Sequence, residues 1–187
     1  MATMSAQKNK IHPHKFSLWI AMGSITMMFI GFTSAYVVKR SQANWQSFEL
    51  SSIFWISTAV ILASSLTVHL ALRQFKQRNM SRYKQLITLT AILGVLFTVC
   101  QILGFADMMK HNLPLNGPVS ASFIYVIVGV HILHVLGGVV ALMVMFVRAY
   151  RTRIRTYSSV PVEVAATYWH FVDLLWIYLL VFLSLAR

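Results

Sequence analysis

Five long apolar runs constrain this chain more than any other feature. They cover residues 16–38, 51–72, 85–108, 120–147 and 162–186. Each run reaches the ~20 mostly apolar residues that an α-helix needs to cross the hydrocarbon core of a bilayer. Hydrophobic residues make up 58% of the chain and only four residues are acidic, which excludes an ordinary soluble domain. The sequence therefore predicts an all-α integral membrane protein, a single five-helix transmembrane bundle over residues 1–187.

The basic residues predict how this bundle is oriented. The formal net charge is +12, but the bases cluster at the ends of the apolar runs. This placement indicates membrane topology and contact with anionic lipid, and it argues against binding to nucleic acid. Twelve of the 16 Lys and Arg residues lie in the N-terminal segment and in the second and fourth connections. We therefore predict a cytoplasmic N-terminus and a periplasmic C-terminus. His69, near the cytoplasmic end of the second run, is expected to reach that interface.

The last apolar run contains polar residues where charge is costly. A charged side chain near the bilayer centre costs roughly 3 kcal/mol, so it normally faces protein or water. At 100° per residue, Glu163, His170 and Asp173 fall on one side of the helix. That side is predicted to face a bundle or a partner. The opposite face is predicted to meet lipid, and it comprises Val164, Phe171, Val172, Leu175, Leu179 and Phe182.

Two further histidines, His131 and His134, lie three residues apart on one face of the fourth predicted helix. Three interpretations of the polar residues remain open from the residues alone. One of the two could ligate haem iron together with His170. Alternatively, Glu163, His170 and Asp173 could form a proton or ion path, as in a small transporter. In the third interpretation, which physical reasoning favours, all five form a buried polar network that fixes packing without chemistry.

Several stretches resemble subunit III of the haem-copper oxidases. Residues 168–176 (YWHFVDLLW) are similar to the signature of that family's final helix, and Glu163 stands seven residues before His170 as the family's glutamate does. Three more stretches resemble family patterns in the family's order. Residues 58–65 resemble the pattern NTxxLLxSS from its second position onward, residues 93–101 resemble LGxxFxxxQ, and residues 129–138 resemble GxHxxHVxxG. Together they extend over essentially the whole chain.

The resemblance implies a helical bundle of the short, five-helix bacterial form, without the first two of seven helices. It implies a non-catalytic subunit of a terminal oxidase in a bacterial inner membrane, with haem and copper in partner subunits and no cofactor or metal of its own. Subunit I would be the direct partner, with subunit II and small subunits in the same complex. The subunit would stabilise subunit I, support proton uptake and hold structural phospholipid. The electron donor, cytochrome c or quinol, and membership of a respiratory supercomplex stay open.

One further position agrees with the family and two depart from it. Arg148 is similar to the family's ligand for a lipid phosphate, and a guanidinium at a helix end suits that role. Ile25 and Gly104 stand where family members often have a buried glutamate. The resemblance therefore does not extend to a proton-collecting role for carboxylates at these two positions.

Overall fold

The computed structural model of the chain describes residues 12–41, 50–111, 119–151 and 158–185, and the described residues form helices with no strand. The helices are α1 (Pro13–Arg40), α2 (Ile53–Lys76), α3 (Met80–His111), α4 (Val119–Tyr150) and α5 (Val160–Leu185). All five are long and apolar enough to cross a membrane. The predicted all-α fold with five transmembrane helices is confirmed. Several helices continue beyond the predicted apolar runs, because a helix does not stop where its residues become polar.

A tight turn joins α2 to α3 and sets them side by side. The Arg78 N–H donates to the carbonyl of Phe75 at 3.0 Å, and the Asn79 N–H donates to the carbonyl of Gln74 at 3.0 Å. These two bonds form a Schellman motif, which satisfies carbonyls at the end of α2. Arg78 has a φ of 59°, a left-handed conformation that glycine adopts without steric cost. The turn therefore pairs α2 with α3 as antiparallel neighbours, at the expense of some backbone strain.

Helix α5 is the centre of the bundle. It packs against α1, α2 and α4, while α3 packs against α2 and α4, and α1 packs against α4 and α5. Within the described residues, the backbones of α1 and α2 do not come close to each other. α5 is accordingly the most buried of the five helices and α1 the least. This arrangement makes the last helix of the chain the element on which the others assemble.

The predicted lipid-facing side of α5 is wrong. Val172, Leu175 and Leu179 are only 0%, 5% and 0% exposed, and they lie in the core. Helical phase separates a polar from an apolar face, but it does not count neighbouring helices. Neighbouring helices cover this apolar face. The exposed strip of α5, which includes Leu174 and Val181, lies instead on the side of the helix that carries Glu163 and His170.

Candidate functional site

Glu163 holds three helices together at one end of the bundle. It lies in the first turn of α5, where a carboxylate also interacts favourably with the helix dipole. Its Oε2 is 2.5 Å from Nζ of Lys15 on α1, and its Oε1 is 2.9 Å from Nζ of Lys76 on α2. Neither lysine was predicted from the sequence as a partner of Glu163. The available signal was that both lysines and Glu163 lie on the side predicted to be cytoplasmic.

His170 lies two helical turns along α5 from Glu163, about 10 Å at 1.5 Å per residue. Its Nδ1 is 2.6 Å from Oγ of Ser65 on α2. The ring of His69, also on α2, lies beside it with 6.2 Å between ring centroids. His69 was not among the predicted site residues, yet it is the closest histidine contact that His170 makes among the described residues. The two rings therefore form a contact between α2 and α5, with His69 on the exposed side.

Asp173 lies one turn further along α5 and is 3% exposed. Neither of its carboxylate oxygens has a hydrogen-bond partner among the described residues. The nearby Ser65 hydroxyl makes its short contact with His170 instead. The sequence grouped Asp173 with His170 correctly by helical phase, but no hydrogen bond joins the two side chains. A buried carboxyl without a partner is costly in its charged form.

The two histidines of α4 have separate environments. His131 is fully buried and stacks on Trp176, with ring centroids 5.3 Å apart and planes inclined by 25°. Neither ring nitrogen of His131 has a hydrogen-bond partner among the described residues. His134 bonds within its own helix, with Nδ1 2.8 Å from the carbonyl oxygen of Val130. Phe29 of α1 packs edge-on against both rings. The structure therefore does not join the five predicted polar residues into one network.

The same separation bears on metal binding. In the described parts of the chain, no ring contact or hydrogen bond connects His170 with His131 or His134. No group of three or more His, Cys, Asp or Glu side chains in those parts has an arrangement that could hold a metal ion.

Trp169 is where four distant stretches of the sequence meet. Its Nε1–H donates to Oγ of Ser64 on α2 at 3.1 Å. One edge of its indole lies against Gly94 on α3, where an added β-carbon would be 3.0 Å from Cη2. Another edge lies against Gly138 on α4, where an added β-carbon would be 2.9 Å from Cε3. Only glycine admits an indole this close at both positions.

Trp176, two turns along α5, repeats this pattern. Its Nε1–H donates to Oγ1 of Thr58 on α2 at 3.0 Å. Its ring contacts Phe97 on α3 with 5.7 Å between centroids, and it stacks on His131 of α4. Both indoles are essentially buried. The stretches 58–65, 93–101, 129–138 and 168–176 thus converge on two tryptophans that clamp α2, α3 and α4 to α5.

The two positions that lack the family's glutamates are filled by apolar packing. Ile25 is partly buried against the core. An added β-carbon on Gly104 would lie 2.8 Å from Cε1 of Phe54, whose ring occupies that space. Phe54 in turn packs against Phe105 and Trp176. A carboxylate at position 104 would therefore displace an aromatic ring from the core.

Arg148 lies in the last turn of α4 and is exposed. It lines a cavity of about 720 Å³ that is bounded by α1, α4 and α5. Most of the wall is apolar, with Leu18 from α1, Val144 from α4 and Val164 from α5 among its residues. A cavity with a cation at one end and apolar walls matches the two parts of an anionic phospholipid.

Comparison with known proteins agrees with the resemblance carried by these stretches. Residues 15–185 match the family model described as Cytochrome c oxidase subunit III. Cytochrome c oxidase subunit 3 of Bacillus sp. (strain PS3) is 25% identical over 177 residues, which are 92% of this chain and 83% of that protein. The probable cytochrome c oxidase subunit 3 of Nocardia farcinica is 26% identical over 184 residues, 92% of this chain and 91% of that protein.

A subunit 3 from Pisaster ochraceus is 36% identical over 124 residues, 66% of this chain and 46% of that protein. The resemblance seen in the spaced stretches is confirmed, and the chain belongs to the cytochrome c oxidase subunit III family.

Proposed function

We propose that this chain is a non-catalytic structural subunit of a respiratory terminal oxidase that takes electrons from cytochrome c and reduces oxygen to water. Family membership makes it a multi-pass membrane protein that associates with other oxidase subunits. The proposal adds that it stabilises subunit I directly, that subunit II and small subunits belong to the same complex, and that the complex lies in a bacterial inner membrane. The redox centres are assigned to the partner subunits.

The observation that carries this proposal is the convergence on Trp169 and Trp176. The stretches that resemble the family meet at these two indoles through packing and hydrogen bonds to hydroxyl groups. Buried aromatic side chains of this size dominate packing energy, and their N–H groups fix orientation. The shared residues thus build a rigid helical support. This suits a subunit whose task is to hold a neighbour in place.

Lipid binding is the second part of the proposal. Arg148 at the end of the cavity between α1, α4 and α5 would bind the phosphate of a phospholipid, and the apolar walls would hold an acyl chain. Support for proton uptake would be indirect, through the stability of subunit I. Ile25 and Gly104 offer no carboxylate where family members often carry one.

The decisive experiment is a deletion strain examined by blue-native electrophoresis and by turnover assays. We expect loss of assembled oxidase, or faster inactivation during turnover, and rescue by the wild-type chain. A visible spectrum of the isolated subunit tests the competing haem interpretation. A Soret band that stays with this chain after its partners are removed would overturn the proposal, and so would failure to co-purify with any oxidase subunit.

Two variants test the structural role of the polar residues on α5. His170→Ala removes the contact with Ser65 and is expected to cost about 1–3 kcal/mol of stability, because a hydroxyl loses its buried partner. Asp173→Asn keeps the volume and has no hydrogen bond to lose among the described residues, so its effect should be smaller. Haem spectra of the complex should be unchanged in both. Normal assembly with altered proton stoichiometry would contradict a structural role.

A further inference from the structure

A groove runs along the outside of the bundle between α1 and α2, and α5 forms its floor. α1 and α2 each pack against α5, but within the described residues their backbones do not come close to each other. A strip of α5 therefore stays open, and it contains Leu174 at 67%, Val181 at 49% and Tyr178 at 40% exposure. Below, this surface is called the α1–α5–α2 groove.

Polar contacts hold the walls of the groove in place. At one end, the carboxylate of Glu163 joins Lys15 of α1 to Lys76 of α2. Towards the other end, Oγ1 of Thr33 on α1 is 2.8 Å from the hydroxyl of Tyr178 on α5. The groove is thus a preformed surface, which lowers the entropic cost of receiving a partner.

Two histidines border the groove within the membrane-spanning helices α2 and α5. His69 lies seven residues before Lys76 on α2, and His170 lies seven residues after Glu163 on α5. Both are therefore about 10 Å from the ionic contact that marks the end of the groove. His69 is exposed, and His170 uses Nδ1 for Ser65, so both nitrogens of His69 and Nε2 of His170 have no hydrogen-bond partner within the part of the chain that the structure describes. Hydrocarbon chains offer neither a donor nor an acceptor, and polar groups in the hydrocarbon region face protein.

The exposed surface of α3 and α4 differs at comparable depth. Most of its large exposed side chains are apolar, and they include Ile92, Val99, Leu133 and Val140; the hydroxyls of Thr88 and Tyr150 bond each other at 3.2 Å. Lipid chains satisfy such a surface without any hydrogen bond. The contrast between the two surfaces indicates which one a protein partner covers.

We propose that the α1–α5–α2 groove receives a transmembrane helix of another oxidase subunit, which presents a hydroxyl, amide or carboxyl side chain to His69 and His170. This inference rests on the proposed function and names the surface through which the chain binds another subunit of the oxidase. A phospholipid is the weaker occupant, because its acyl chain cannot bond the two rings and its headgroup would lie near Glu163, about 10 Å away. The groove is also distinct from the cavity lined by Arg148, which opens between α1, α4 and α5.

Photo-crosslinking in the intact complex tests this assignment. A benzophenone amino acid is placed at Leu174 in the groove, and a matched control is placed at Leu133 on α4, since these leucines are 67% and 66% exposed. In native membranes, position 174 should form an adduct with another oxidase subunit, and position 133 should react with lipid alone. The proposal would be overturned if position 133 formed an adduct with an oxidase subunit while position 174 reacted only with lipid. Lipid adducts from both positions would do so as well.

Substitutions of His69 provide a second test that does not depend on a crosslinker, because this exposed side chain can change without disturbing the core. His69→Leu should reduce retention of the partner subunits during detergent washing, and His69→Gln, which keeps hydrogen-bonding capacity, should restore it. Equal retention in both variants would contradict the groove assignment. If the chain co-purifies with oxidase subunits but crosslinks only through α4, the groove assignment fails while the proposed function stands. If it co-purifies with no oxidase subunit, the proposed function itself fails.

Discussion

Replacing Gly138 with alanine is expected to destabilise the bundle, although alanine is the better helix former. A β-carbon at this position would lie 2.9 Å from Cε3 and 3.0 Å from Cζ3 of Trp169. Non-bonded carbon atoms normally approach to about 3.5–4.0 Å, so the indole would have to move. It has little room to do so, because it is fully buried and its Cη2 already abuts Gly94 on the neighbouring helix.

The expected change in stability of Gly138→Ala is the sum of two opposing effects. Overpacking a well-packed core costs about 1–3 kcal/mol. Alanine in place of glycine gains about 1 kcal/mol of helix propensity. Gly129, on the same helix, has nothing within 4 Å of an added β-carbon, so Gly129→Ala should show the gain alone. The difference between the two variants thus isolates the packing cost. At about 3 °C per kcal/mol for a chain of this size, it corresponds to roughly 3–9 °C.

Thermal unfolding of the detergent-purified complex, followed by tryptophan fluorescence, measures this difference. Gly138→Ala should melt below Gly129→Ala by that margin. Introducing Trp169→Phe should reduce the gap, because the smaller ring leaves space for the new methyl group. Equal melting temperatures for the two glycine variants would refute the reasoning, as would a gap that is unchanged with phenylalanine at position 169.

Three further predictions concern other parts of the chain. Gly104→Glu, which restores the residue often found in the family, should sharply lower the yield of folded protein in membranes. Adding Phe54→Ala should recover part of that yield, because the Phe54 ring fills the space beside position 104. A normal yield of the Gly104→Glu single variant would contradict this prediction. Glu163→Gln should cost about 1 kcal/mol, because the side chains of its lysine partners are 42% and 54% exposed, and the loss of melting temperature should shrink in high salt; a salt-independent loss would point to another cause. Arg78→Gly should stabilise the α2–α3 turn by about 1 kcal/mol, whereas Asn79→Gly should not, as measured by thermal unfolding.

Much of the fold could be predicted from contiguous residues. The length of an apolar run decides whether a helix can span the bilayer, and helical period decides which residues share a face. Both are local properties. The same period placed Val172 and Leu179 opposite the polar residues correctly, but it could not show that another helix covers them. It also grouped Glu163 with His170, although Glu163 pairs with Lys15 of α1 and Lys76 at the end of α2, whereas His170 contacts Ser65 further along α2.

The sequence by itself determined five membrane-spanning helices and, through spaced motifs in family order, membership of the subunit III family. The tertiary structure alone decided that α5 is the central helix and that the motifs meet at Trp169 and Trp176. It also revealed that Phe54 fills the space beside Gly104 and that α1 and α2 leave a groove over α5. The reason is physical: these facts depend on distances between residues far apart in the chain, and only the packing of whole helices fixes those distances.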